Sequence, residues 1–240
     1  MISQYVMLFI VMHIAPELYK KYPKEKIEEA VRLLTYVNVD PLPKDEPEQF
    51  PILYIFRHGQ SEDNANFLFS GWRDSKITEE GVRQAEVLAD KLKNKKIDML
   101  VSSPQTRAVE TMKIAISKNA RAKLLEIHFD ERVKERSYGD LQGKSKLEMQ
   151  LTNPKLLHDI RRSYTKSTPN GESLETVCKR VSAFCDEIIP LMKDFNINVA
   201  ISCHGNSIRG FRQYFEHLTP EEVQNIETPL GQDYAAYSIK

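Results

Sequence analysis

Helix-like and strand-like hydrophobic patterns follow one another along this chain. Residues 5–15 are apolar except for His13, and residues 3–14 are expected to form a helix. Ile27, Ala30, Val31, Leu34 and Val37 fall three or four apart, which places them on one helical face and predicts a helix over 24–37. Residues 40–49 then carry three prolines and four acids, the composition of a linker. The expected organisation is a helical extension at 1–39, a linker at 40–50 and a larger domain at 51–240.

From residue 52 onward the two patterns alternate. Short continuous apolar runs at 52–56, 97–101 and 199–202 read as strands, with a weaker one at 124–129. Thr78 caps a helix whose apolar stripe is Val82, Ala85, Leu88, Ala89 and Leu92. Ser103 and Pro104 have the form of an N-cap and first turn, opening a helix that reaches residue 116. A long helix is expected over 173–195, with Pro190 as a point of disturbance. Helices at 206–217 and from Thr219-Pro220 follow, and 234–239 reads as an edge strand. Strands that alternate with helices imply a three-layer α/β/α architecture with a mostly parallel central sheet.

Charge narrows the function. The 240 residues hold 34 Lys+Arg and 34 Asp+Glu, so the formal net charge is zero. That argues against a general nucleic-acid binder, whose affinity comes from excess cations. Three cysteines without regular spacing make neither a disulfide framework nor a zinc module, which suggests a reducing, cytoplasmic setting. The apolar run at 5–15 is too short for a bilayer that needs about twenty residues. No Lys or Arg precedes it, as a signal peptide would require. It reads as a buried helix, with membrane association or partner binding as the other uses.

The chemistry gathers at strand ends, where α/β sheets bind their ligands. One strand ends in Arg57-His58-Gly59-Gln60-Ser61 and another in Cys203-His204-Gly205-Asn206-Ser207. Gly59 and Gly205 would each let backbone approach a ligand closely. The second segment also opens a helix, whose exposed N–H groups favour an anion. A third strand end supplies Ser102-Ser103-Pro104-Gln105-Thr106-Arg107. Two histidines with two arginines suggest phosphate, since guanidinium forks match phosphate oxygens. A neutral imidazole could attack phosphorus, kept unprotonated by the neighbouring arginines. Glu135, in Lys134-Glu135-Arg136-Ser137-Tyr138-Gly139, is the candidate general acid. A metal site is disfavoured because Arg57 and Arg107 would repel a cation. Cys203 and His204 point to opposite faces of a strand, so Cys203 is expected in the core, as are Cys178 and Cys185.

These motifs resemble the histidine phosphatase superfamily, and within it the cofactor-dependent phosphoglycerate mutases that use 2,3-bisphosphoglycerate. The resemblance covers about residues 52–240. It implies a phosphoglycerate mutase-like fold, with His58 as the phosphorylated nucleophile and Arg57 and Arg107 as phosphate clamps. It further implies Glu135 as acid and base, His204 as a stabiliser, and Asn64 as a phosphate ligand. Ser70, Gly71 and Trp72 match the mutase Ser/Thr-Gly-Trp element that contacts substrate. Tyr138, Lys146, Gly205 and Asn206 fall in matching positions. Arg161-Arg162-Ser163-Tyr164 resembles the segment that grips the substrate carboxylate and distal phosphate.

The implied function is interconversion of 3-phosphoglycerate and 2-phosphoglycerate through phospho-His58, with 2,3-bisphosphoglycerate as primer and no metal. Mutases of this type are commonly homo-oligomers, and the N-terminal helices would be free to contact a partner. Two departures bear on this. Asp63 stands where mutases usually carry an aromatic, placing a negative charge near a phosphate pocket. Only six residues separate Tyr164 from Gly171, far fewer than in the long mutases. Both features suit the alternative, a phosphatase that hydrolyses small phosphomonoesters through the same phosphohistidine. A third reading is a non-catalytic protein that binds a phospholigand.

Overall fold

The computed structural model describes residues 16–35 and 41–240. The helix expected at 3–14 lies outside them. Two helices open the described chain, α1 (Leu18–Lys21) and α2 (Lys24–Leu34). The latter stops short of residue 37, where Thr35 turns extended and its hydroxyl donates back to the Val31 carbonyl.

Five strands form one sheet in the order β3-β2-β4-β1-β5, with β1 Ile52–Arg57, β2 Met99–Ser102, β3 Ile127–Phe129, β4 Val199–Cys203 and β5 Tyr234–Ser238. All neighbours are parallel except β5, which runs antiparallel to β1. Alternation along β1 divides the two faces. Leu53 and Ile55 pack with α8 (Leu174–Phe195) and α9 (Gly205–Glu216). Ile52, Tyr54 and Phe56 pack on the other side with α4 (Glu79–Leu92) and α5 (Thr106–Ala115). The three expected layers are therefore present. Cys178, Cys185 and Cys203 are unpaired and buried in the α8–α9 layer, where burial pushes each thiol up from its usual range.

Several local expectations shift. Helix α5 begins at Thr106, not Ser103, because its cap comes from a distant residue: the Asp74 carboxylate accepts from the Thr106 backbone N–H and hydroxyl. Leu124 belongs to a 3-10 turn, Ala122–Leu124, so β3 is shorter than expected. Pro190 lies on the exposed face of α8, and the helix runs through it. Residues 41–49 form a strap along the outer edge of β5. Ala236 N–H donates to the Pro43 carbonyl at 2.8 Å, and Asp45 N–H donates to Ala236 at 3.0 Å.

Three helices have no counterpart in the sequence reading: α3 (Glu62–Ala65), α6 (Lys146–Thr152) and α7 (Pro154–Arg162). Their caps are nonetheless ordinary. Ser145 accepts from Glu148 N–H, and Asn153 accepts from Leu156 N–H ahead of Pro154. With α2, helices α6 and α7 bury a third apolar cluster, separate from the two that flank the sheet. The last helix, α10 (Pro220–Asn225), starts from a Thr219–Glu222 capping box.

Candidate active site

Parallel pairing of β1 with β4 sets Arg57 opposite Cys203, so the next residue of each strand brings a histidine to the same edge. The His58 and His204 ring centroids are 5.0 Å apart. Strand β2 lies on the other side of β4, and the helix after it carries Arg107 in its first turn. Sheet order alone thus converges three segments that are distant in the chain.

His58 is 2% exposed and held at both ring nitrogens. Its Nδ1 lies 2.6 Å from the Gly59 carbonyl, a contact that requires Nδ1 to carry the proton and leaves the Nε2 lone pair available. Arg107 Nε donates to that Nε2 at 3.3 Å. Burial, then the Arg107 and Arg57 charges, hold the His58 pKa well below its ordinary value. His204 is depressed for the same first reason, with Arg107 next. Both imidazoles are neutral at pH 7. Neither ring nitrogen of His204 has a hydrogen-bond partner among the described residues, and both are buried.

The guanidiniums are fixed by carbonyls. Arg107 is fully buried and donates to Arg73 O and Gly71 O, each at 2.9 Å. Burial lowers its pKa to about 10, which leaves it charged. Arg57 donates to the Thr228 carbonyl at 2.8 Å. Gly71 has φ +53°, and a Cβ there would lie 2.3 Å from Gln142 Oε1, so glycine is required at this turn.

Glu135 is anchored asymmetrically. Its Oε1 accepts from Arg136 N–H at 2.8 Å, Asn206 Nδ2 at 2.9 Å and Asn206 N–H at 3.2 Å. Oε2 accepts nothing among the described residues, so one oxygen is held and the other is available for a proton. The backbone is also held: Trp72 Nε1 and Arg180 Nη2 donate to the Glu135 carbonyl, and Glu135 N–H donates to Gln105 Oε1.

A pocket takes in Arg57 and Glu135 of these groups, while His58, His204 and Arg107 are not among its lining residues. Arg57, Asn64, Ser70, Gly71, Glu135 and Tyr138 line it, with Gly205 and Asn206 at the start of α9. Lys146 from α6 and Arg161 from the end of α7 complete its wall. Arg162 does not line it. Its guanidinium pairs with Glu227, which does. Trp72 is 46% exposed and acts on Glu135 through its indole N–H instead of lining the pocket.

The reason for Gly59 differs from the sequence expectation. A Cβ there would meet the Gly81 carbonyl of α4 at 2.4 Å, so helix packing, not a ligand, demands the glycine. Asp63 is buried, and its carboxylate is 3.4 Å from Arg73 Nε, so its charge is answered outside the pocket. Thr228 lines the pocket without being singled out in the sequence; Arg209, in the run from His204 to Gly210, lines it too, and Gln105, in the segment from Ser102 to Arg107, bridges Glu135 and Gly71. Thr228 sits in no recognisable motif. The proximity of Thr228 arises from the loop leading into β5.

The buried, unpartnered atoms here include both His204 nitrogens, Ser70 Oγ and Thr228 Oγ1. Each represents an unmet demand of about 1–3 kcal/mol, which a many-oxygen anion would satisfy. Among the described residues, no group of three or more His, Cys, Asp or Glu side chains is placed to hold a metal. No described helix is long and apolar enough to cross a membrane.

A buried, neutral histidine among fixed arginines, with a half-anchored carboxylate in the same site region, is chemistry suited to phosphoryl transfer. Residues 53–239 match the histidine phosphatase superfamily (branch 1), and the chain belongs to that family. The 2,3-bisphosphoglycerate-dependent phosphoglycerate mutase of Cytophaga hutchinsonii is 39% identical over 183 residues, covering 75% of this chain and 84% of that one. The enzyme of the same name from Beijerinckia indica is 34% identical over 184 residues, covering 75% and 88%. Among solved structures, a mycobacterial glucosyl-3-phosphoglycerate phosphatase superposes with a TM-score of 0.67 at 22% identity, covering 78% of this chain and 89% of that one. That likeness is one of fold.

Proposed function

We propose that this chain is a 2,3-bisphosphoglycerate-dependent phosphoglycerate mutase, interconverting 3-phosphoglycerate and 2-phosphoglycerate through a phosphohistidine at His58. One observation carries the reading: the pocket places Lys146 and Arg161 on the same wall system as Arg57 and Glu135. Cations therefore serve two anionic groups of one ligand, whereas a simple phosphomonoester needs only the set around His58. The mutase relatives support the same choice.

Neutral His58 attacks phosphorus through Nε2 while Nδ1 keeps its proton on the Gly59 carbonyl. The bond from phosphorus to the leaving oxygen breaks, and Glu135 Oε2 supplies the proton that oxygen needs. Arg57, Arg107, His204 and Asn64 stabilise charge on the transferring group. Arg107 must then turn from the His58 lone pair to the phosphoryl oxygens. In the reverse step Glu135 takes the proton from a substrate hydroxyl, which attacks the phosphohistidine. Lys146 and Arg161 hold the substrate carboxylate and its second anionic group. 2,3-Bisphosphoglycerate, when bound, supplies the phosphoryl group that charges His58. The same two sets of cations and the unpartnered polar atoms of His204, Ser70 and Thr228 suit its two phosphates. No step calls on a metal. Three unpaired cysteines suit a cytoplasmic setting.

A labelling and chase experiment tests the proposal. Labelled 2,3-bisphosphoglycerate should leave an acid-labile, base-stable label on His58 that a chase with 3-phosphoglycerate returns to the organic acid. Release as inorganic phosphate during that chase would make the chain a phosphatase. A chain that takes no label would be a binding protein.

A further inference from the structure

The helix α2 lies outside the residues that match the family, yet it packs against the helices that bring Lys146 and Arg161 to the pocket. Ile27, Ala30, Val31 and Leu34 are buried on one face of it. Their cluster includes Leu147 and Leu151 of α6, Leu157 of α7, and Phe69. Phe69 itself lines the pocket, immediately before Ser70, and its ring centroid is 5.0 Å from that of Tyr138. Lys146 is the first residue of α6, and its Nζ is 5.9 Å from the Phe69 ring centroid. Arg161 is in the last turn of α7.

Helices α6 and α7 have seven and nine residues. Isolated helices need about twelve or more to persist, so packing must hold these two in place. The apolar cluster that does so is separate from both cores of the sheet. By contrast, His58, His204 and Arg107 stand on strand ends and helices packed on those cores. The pocket is thus built on two foundations: a phosphate end on the sheet, and a substrate end braced by the N-terminal extension.

We propose that α2 is a positioning element for substrate. Ile27 and Val31 set the placement of Lys146 and Arg161, and thereby the affinity for the carboxylate-bearing end of the ligand, without acting on phosphate at His58. This rests on the mutase reading for the identity of the ligand, but not for the mechanical coupling.

The test compares the full-length protein with the double variant Ile27→Ala/Val31→Ala, the conservative Ile27→Val, and Leu88→Ala in the opposite layer of the sheet. Amide hydrogen exchange is measured over α5, α6, α7 and α9, and calorimetry measures binding of 3-phosphoglycerate and of inorganic phosphate. In the double variant, α6 and α7 should exchange about tenfold faster and 3-phosphoglycerate affinity should fall about tenfold, as loosened positioning groups cause. Phosphate affinity and exchange in α5 and α9 should stay within about twofold, KM should move more than kcat, and Ile27→Val should restore binding.

If the double variant does not fold, Val31→Ala alone should give the same split at smaller size. Equal losses for both ligands, unchanged exchange in α6 and α7, or the same split from Leu88→Ala would overturn the proposal. A wild-type chain that binds 3-phosphoglycerate no better than phosphate would defeat the mutase reading instead. The exchange comparison would then decide the coupling alone, with faster exchange supporting it and unchanged exchange overturning it.

Discussion

Glu135 shows how a common side chain acquires a specific task. Three N–H donors converge on Oε1, so the carboxylate is held in one orientation, and Oε2 is the oxygen to which the proposed mechanism gives proton transfer. Glu135→Gln keeps the shape and removes the proton function. It should lower kcat by roughly 10²–10⁴ with little change in KM, measured by steady-state isomerisation. Glu227 makes the opposite contribution. Its carboxylate lines an anion pocket and occupies Arg162. Glu227→Gln should therefore lower KM for 3-phosphoglycerate, by about three- to tenfold, because a like charge leaves the ligand's surroundings. At this scale, the residues in motifs were legible, since His58, Arg107 and Glu135 each stand beside a predicted strand end. Thr228 was not, because it reaches the site only through tertiary packing.

Among the elements, those with unbroken patterns could be read directly. The β1 and β4 runs, the α4 stripe and the long α8 face depend on their own residues for a hydrophobic side. Boundaries failed where the deciding group was remote, as when Asp74 caps α5. Helices α6 and α7 were missed because each buries only one or two leucines, too few to establish a period. The proline-rich strap at 41–49 read as a linker because its order comes from the edge of β5. One contact between elements bears on catalysis. A Cβ at Gly81 would lie 2.2 Å from the Gln60 carbonyl, in the loop that carries His58. Gly81→Ala should push α4 away from that loop and cost about 1–3 kcal/mol, seen as a lower urea midpoint, together with a reduced turnover.

For the molecule as a whole, the site imposes a pH dependence on stability. His58 and His204 are buried as neutral rings with pKa values well below 6.5. In the unfolded chain both bind protons as pH falls through about 6.5, while in the folded chain they stay neutral to lower pH. The unfolded state then holds more protons. Their contribution to stability is full above about pH 6.5 and is lost as pH drops toward the folded values, by up to about 1.4 kcal/mol per pH unit for each histidine. Urea unfolding between pH 7 and 5 should show that decline, and His204→Asn should make it shallower.

In the proposed mechanism, phospho-His58 passes its phosphoryl group to an organic hydroxyl and not to water. A single reaction with purified protein, 3-phosphoglycerate and a catalytic amount of 2,3-bisphosphoglycerate tests it, following 2-phosphoglycerate and inorganic phosphate together. Fast isomerisation that depends on the bisphosphate, with little phosphate released, is the expected result. Phosphate release without isomerisation would contradict it.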